Sequence, residues 1–505
     1  MCIRDSASTA DSRAPINNFL RHRFFGLAWA EFIAAHLTNM LALSAASRTA
    51  GYSSPVTQAK APAHDQARLS LFDATMLVMG GIIGVGIFFK PHEVAGLVPV
   101  TGPYFAIWGL GALAAIVGAM TFAELAGSFP KAGGWYVFLR EGFGPFASFL
   151  FAWIVLLVIS TGASAGVAGF CATKIYSLVA PDAEPSFLIE RCIAAALILS
   201  VTALGMTGVK TSAIFQNLCM LAKLLAIATF VFAGLVLFEL PPAQAPAASA
   251  ANDIPWSGMM RGTLPVLFTY GGWQLVTYIA PSVKDPERNL PRAIILGMLG
   301  VGAVYLALNA AYVRVLGIEG VATLPDVPGE LARRTLGSGG VLFLSLAMAI
   351  SAIGFLTATL IATPGIYVAM AKEGLFVQAV GKRHPRTGAP VLALLLQASI
   401  CILYLAVHHD VVKDLGDSVV FGEWIFHCLT GLTLLRLRKR RPDLPRPFKS
   451  PLYPLCPALY TLLAGCIVYG NLVTNAPSVT YLGLGVLAAG ALVYLPWNRF
   501  AKSTL

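Results

Sequence analysis

Charge is what this sequence has least of. Its 24 acidic and 35 basic residues make up 12% of 505 positions, against 57% apolar ones, and its mean hydropathy is +0.74. A chain with that balance cannot fold as one soluble core. Its eight cysteines include no CxxC pair, so their spacing supports neither a zinc site nor a disulfide framework. Cys171, Cys219, Cys401, Cys428 and Cys466 fall within or at the ends of apolar runs and read as small apolar fillers. The glycine-rich stretch at 80–86 has no Lys-Ser/Thr pair after it and no βαβ context, which excludes a P-loop and a dinucleotide fold. Without a nucleotide motif, a catalytic triad or a metal cluster, neither a primary pump nor a membrane enzyme is supported, and no cofactor is expected. The apolar runs are continuous rather than alternating ten-residue segments, which argues against a β-barrel.

What is present is a series of runs about 17–25 residues long or longer, the length a helix needs to cross a bilayer core. They lie at 71–97, 102–128, 143–178, 187–207, 212–239, 257–282, 291–316, 334–371, 389–408, 414–437, 452–473 and 478–497. The expectation is an all-α polytopic membrane protein of about twelve transmembrane helices. Lys131, Arg140, Lys210, Lys284, Arg288, Arg292, Lys372, Lys382, Arg383 and Arg386 fall in alternate loops, and the 10–11 loop adds seven basic residues between Arg436 and Lys449. The positive-inside rule then places both termini in the cytoplasm of a multi-pass inner-membrane protein. That charge distribution speaks for topology rather than nucleic acid, although the 436–449 run leaves nucleic-acid or phospholipid binding open.

Two of the twelve runs are interrupted by glycine, and they are the first and the sixth: Gly80-Gly81-Ile82-Ile83-Gly84-Val85-Gly86 and Tyr270-Gly271-Gly272-Trp273. Inside a bilayer, unpaired backbone groups are tolerated only against protein or a water-filled cavity. Interrupted spans at matching places in two halves point to a midplane substrate site in an inverted-repeat transporter. An amino-acid zwitterion suits such a site. Its carboxylate accepts N–H bonds at the positive end of one half-helix, and its ammonium donates to carbonyls at the negative end of the other. The plainer alternative is that the glycines simply allow helices to pack closely.

Several blocks together resemble the amino acid-polyamine-organocation transporters. They are Gly81-Ile82-Ile83-Gly84-Val85-Gly86-Ile87-Phe88, Ala123-Glu124-Leu125 with Pro130-Lys131-Ala132-Gly133-Gly134-Trp135-Tyr136, and Arg140-Glu141-Gly142-Phe143-Gly144. Phe268-Thr269-Tyr270-Gly271-Gly272-Trp273 followed by Asn289-Leu290-Pro291 is similar to the L-type amino-acid transporter branch and its bacterial relatives, and Ala369–Phe376 and Arg441–Pro447 agree with it. The resemblance covers about 68–497. It implies a five-plus-five inverted-repeat (LeuT-like) fold with two accessory helices, and sodium-independent amino-acid movement, usually by exchange. It also implies that Ile82, Ile83, Gly84, Val85 and Gly86 hold the substrate carboxylate while Phe268, Thr269 and Gly271 face its ammonium. Phe268 would be an aromatic lid, and Trp273, beside the second break, is a second gating candidate. Val85 stands where a serine is common, and Gly365 where an arginine often follows the proline.

Lys223, well inside the fifth run, is a functional hypothesis by default, the alternative being a side chain that snorkels to the interface. By resemblance its ammonium stands where sodium-coupled relatives bind a cation. Glu423 and His427 lie four residues apart in the tenth run. They read either as a proton or selectivity site, or as a hydrogen bond steadying the helix or a pair near the outer water.

The resulting plan has 1–66 as a disordered or spurious extension, with Met1–Ser6 similar to artefactual chain starts. It continues with a transporter core at 67–437, a basic cytoplasmic loop at 438–451, accessory helices at 452–497 and a tail at 498–505. The leading function is a neutral amino-acid exchanger working by alternating access. Proton-coupled movement of cationic amino acids or polyamines, using Glu423, is second, and a membrane amino-acid sensor third. The expected partners are small-molecule amino acids and the lipid bilayer, with no disulfide-linked heavy chain and a monomeric or homodimeric state.

Overall fold

The computed structural model describes residues 68–180, 186–239, 256–407, 411–474 and 477–502. The expectations for 1–66 lie outside these residues. Among the described residues the chain is helical, and its single bridge of strand type joins Leu69 to Val283.

Each of the twelve apolar runs contains a helix or a helix pair. The first is α1 (Leu71–Ile82) and α2 (Gly86–Leu97), bent by 44° at the break. Next come α3 (Thr101–Ser128), a short α4 (Trp135–Phe143), α5 (Pro145–Val179), α6 (Phe187–Met206) and α7 (Val209–Leu237). The sixth run is α8 (Trp256–Thr269) and α9 (Leu275–Tyr278). Then follow α10 (Pro286–Thr323), α11 (Val327–Lys372), α12 (Val391–Val407), α13 (Val411–Arg440), α14 (Leu455–Thr474) and α15 (Pro477–Lys502). Among the described residues seven helices are long and apolar enough to cross a membrane, and the bent α1–α2 pair makes eight. A broken span followed by four continuous ones occurs twice in succession. The element order is that of two successive five-helix repeats.

Three features depart from the span pattern. A short helix, α4, stands between the second and third spans and buries Trp135, Tyr136, Val137, Phe138 and Leu139. The seventh and eighth spans continue past Gly317 (φ +72°) and before Gly337 (φ +68°), where hydropathy alone does not mark the change in direction. The third and fifth spans carry π-helical turns at Val155–Ile159 and Ala233–Leu237, a local widening that shows no sequence signature of its own.

α10 lies along α3 and α1, while α11 packs on α7 and α5. The arginine- and lysine-rich end of this bundle is laced together. Buried Glu124 of α3 accepts a fork of bonds from Arg438 (2.8 and 2.6 Å) and one from the Ser450 N–H (2.7 Å), with Arg446 at 3.3 Å. Asp73 of α1 accepts from Lys210 (2.6 Å) and Asn217 (2.7 Å), and it closes a capping box with Ser70. Glu373 accepts from Tyr136 (2.5 Å) and Arg140. Leu69 exchanges backbone bonds with Ser282 and Lys284 at 2.7 and 2.9 Å.

Candidate functional site

The site forms where the two broken spans touch. A helix leaves its first N–H groups and last C=O groups without intrahelical partners. Ending α1 at Ile82, starting α2 at Gly86 and ending α8 at Thr269 therefore gathers such groups in one place. The unwound part of the first span is residues 83–85, narrower than the glycine cluster suggests. Gly80 and Gly81 are still helical. Their glycines serve close approach, since a Cβ on Gly80 would lie 2.1 Å from Gln216 Nε2 and one on Gly81 would lie 2.6 Å from Leu275 Cδ1. The packing explanation thus holds for Gly80 and Gly81, and the unwinding explanation for Gly84.

Gly272 brings the second break against the first. Its φ is +121°, and a Cβ there would stand 2.3 Å from the Gly81 carbonyl oxygen, so both conformation and space require glycine. A Cβ on Gly86, at the start of α2, would stand 3.6 Å from the side chain of Thr269, the last residue of α8. The segments are crossed: the end of α1 meets the second break, and the start of α2 meets the end of α8.

Side chains from continuous spans hold this arrangement. Lys223 of α7 is 2% exposed, and its ammonium donates to the Ile83 carbonyl. Gly354 of α11 lies beside it, with the Nζ 3.9 Å from where a Cβ would stand. Ser351, one turn away on α11, donates to the Gly84 carbonyl at 3.1 Å. The Tyr305 hydroxyl of α10 lies 3.1 Å from the Ile82 carbonyl and 3.2 Å from that of Thr269. One hydroxyl proton thus serves carbonyls from both broken spans. Motif reading misses Tyr305 and Ser351, because a lone Tyr or Ser in an apolar run carries no periodic signal.

Of the other proposed contacts, Phe268 is 38% exposed and lies 5.8 Å beneath the Lys90 ammonium. Lys90 is itself paired with Glu93 at 2.5 Å. The Thr269 hydroxyl is turned back to the Pro265 carbonyl (2.7 Å). Gly271 caps the end of α8 by donating to the Phe268 carbonyl at 3.1 Å. Val85 packs against the Cys171, Ala349 and Ala352 cluster, and a Cβ on Gly84 would stand 3.3 Å from the Phe355 ring. These neighbours give the site an apolar wall.

Glu423 reaches the second break through Gln274. The Gln274 amide donates to the carboxylate at 2.6 Å, and its carbonyl accepts the Gly272 N–H at 3.2 Å. The presence of Gln274 directly after Gly-Gly-Trp was the available signal for this link. His427 Nε2 is 3.8 Å from Glu423, and Nδ1 is 2.5 Å from the Tyr460 hydroxyl. Trp273 is buried against Phe122 and His427, with centroid distances of 6.2 and 5.5 Å. Gly365 needs its lack of a side chain: a Cβ there would lie 2.3 Å from the Tyr278 carbonyl oxygen, so α11 meets α9 backbone to backbone.

The chain matches the model of a family described as amino acid permease over residues 69–489. It belongs to the amino acid permease family. The permease is 29% identical over 425 residues to the b(0,+)-type amino acid transporter 1 of Homo sapiens, which covers 83% of this chain and 85% of the relative. It is also 29% identical over 434 residues to the human large neutral amino acids transporter small subunit 2, covering 84% and 79% respectively. The serine/threonine exchanger of Bacillus subtilis (strain 168) is 28% identical over 432 residues, 84% of this chain and 95% of its own. The permease is therefore similar to carriers of amino acids along most of its described length.

Proposed function

We propose that this permease exchanges neutral amino acids across the inner membrane by alternating access, without sodium. The observation that carries the reading is the contact between the two breaks, with Lys223 donating to the Ile83 carbonyl from within the bundle. A fixed ammonium supplies the positive charge that a bound sodium would otherwise bring to those carbonyls. The α2 N-terminus takes the substrate carboxylate through Gly84, Val85 and Gly86, with Ile82 and Ile83 shaping the turn. The Phe268, Thr269 and Gly271 backbone at the α8 end faces the ammonium. Val85, Phe355 and Phe268 favour an uncharged substrate side chain, and the exposed Phe268 ring is the lid. Trp273 couples the second break to α3 and α13. With the basic end in the cytoplasm, the laced face is the inner one.

The test is uptake of labelled amino acid by proteoliposomes in choline buffer. Vesicles loaded with unlabelled amino acid should take up label, and empty ones should not. Equal uptake by empty vesicles would exclude obligate exchange, and a requirement for sodium would remove the role given to Lys223. A competition panel of about twenty amino acids identifies the preferred side chain.

A second reading, proton-coupled movement of cationic substrates, rests on the Glu423 carboxylate bonded to Gln274 at the second break.

A further inference from the structure

On the basic end of the bundle, Arg288 and Arg292 of α10 line a groove together with Glu287, Pro291, Ile295, Leu296, Pro447 and Phe448. We infer that this groove binds an anionic phospholipid of the adjoining leaflet, with the headgroup phosphate on the two arginines and an acyl chain along α10. The first observation is pairing. Arg438, Arg446, Arg441 and Arg140, at the same end, each lie in an ion pair with Glu124, Glu141 or Glu373. Among the described residues Arg288 and Arg292 have no such partner, although both are exposed. Two guanidiniums one helical turn apart are neighbours on a helix surface, and each presents a fork of donors that fits phosphate oxygens.

The second observation is polarity along the helix. Arg288, Arg292, Ile295, Leu296 and Leu299 fall within a stripe about 100° wide on α10. Leu296 and Leu299 are each 50% exposed. The stripe is cationic at the membrane boundary and apolar one to three turns inward, the same order as the headgroup and tail of a phospholipid. Glu287 also lines the groove, at a helix position about a quarter-turn outside this stripe, so the two arginines outnumber the one carboxylate there. A free anion would use only the first part of this surface.

The third observation is that the wall is fixed. Pro447 and Phe448 belong to the segment that Glu124 pins through Arg438, Arg446 and the Ser450 N–H. Gly127 of α3 brings the Glu287 carbonyl and the Pro291 ring within 3.1 and 3.2 Å of where its Cβ would stand. The groove is held open between two anchored elements, and basic pockets of this kind at helix ends suit anionic headgroups.

Melting of the full-length permease in neutral detergent tests the inference, with dioleoyl phosphatidylglycerol, dioleoyl phosphatidylcholine or inorganic phosphate added. Phosphatidylglycerol should raise the midpoint by about 5 °C at saturation, through preferential binding to the folded state. Arg288→Gln/Arg292→Gln should lose at least half of that rise, whereas Arg288→Lys/Arg292→Lys and the control Lys439→Gln/Arg440→Gln should keep most of it. If the glutamine pair folds poorly, Arg292→Gln alone gives the same reading at reduced amplitude. An equal rise with phosphatidylcholine, an equal rise with phosphate alone, or an undiminished rise in the glutamine variants would each overturn the site.

Discussion

The two breaks are built differently. At the first, each exposed carbonyl is answered by a side chain from another helix: Ile82 by Tyr305, Ile83 by Lys223 and Gly84 by Ser351. At the second, the chain mostly satisfies itself. Gly271 donates to Phe268, Leu275 to Gly272 and Thr277 to Gln274, at 3.1, 3.3 and 3.0 Å, while Gln274 reaches outward to α13 and the Tyr305 hydroxyl of α10 reaches the Thr269 carbonyl at the end of α8. A break bonded into α7, α10 and α11 is an anchor, because moving it would strand buried polar groups. A break that closes its own bonds can change shape while keeping them. Under the proposed exchange cycle, the first break would position substrate and charge, and the second would take up the conformational change.

The contact between the breaks has the least tolerance. Gly272→Val meets both a left-handed φ and an oxygen 2.3 Å from its Cβ, so the expected outcome is loss of folded protein in gel filtration. Gly317→Ala is the control. Its φ is +72° with nothing within 4 Å, and it should cost only about 1 kcal/mol and leave uptake measurable. Normal folding of Gly272→Val would dissolve the contact on which the comparison depends.

Lys223→Ala comes next. It leaves the Ile83 carbonyl without its donor in a buried setting, and uptake should fall roughly 100-fold or more while membrane insertion is retained. Wild-type uptake would mean that the first break is not anchored by charge. Tyr305→Phe removes one hydroxyl shared between the two spans and should reduce uptake about tenfold. A drop confined to melting temperature, with uptake per folded protein unchanged, would make Tyr305 a structural strut only.

The sequence itself exposes the features that cost most to bury. Lys223 stands out because charge is scarce in a span, and Gly84 and Gly272 because backbone cannot stay unpaired in lipid. It does not separate glycine that frees the backbone from glycine that makes room. Gly80 and Gly81 therefore read as part of the break, although they are helical and packed on Gln216 and Leu275. Tyr305 and Ser351 are invisible because their partners are backbone carbonyls of other spans, Ile82 and Thr269 for Tyr305 and Gly84 for Ser351, which no local spacing marks. The helical pieces beyond Gly317 and before Gly337 stay hidden for a different reason: they carry Glu319, Glu330, Arg333 and Arg334 and so fall largely outside the apolar runs at 291–316 and 334–371.

The smallest effect tests the hydrogen bond from the second break to α13. Glu423→Gln keeps an oxygen to accept the Gln274 amide bond and removes the ionisable proton, so geometry and titration are separated by one substitution. At neutral pH uptake should stay within about threefold of the parent. If Glu423 exchanges a proton during the cycle, the parent's uptake varies between about pH 5.5 and about pH 8 and the variant's profile is flatter. An unchanged profile leaves Glu423 as an acceptor that positions Gln274 and removes the proton-coupled reading. The second break would then be tied to α13 by a hydrogen bond that does not change its protonation during the cycle.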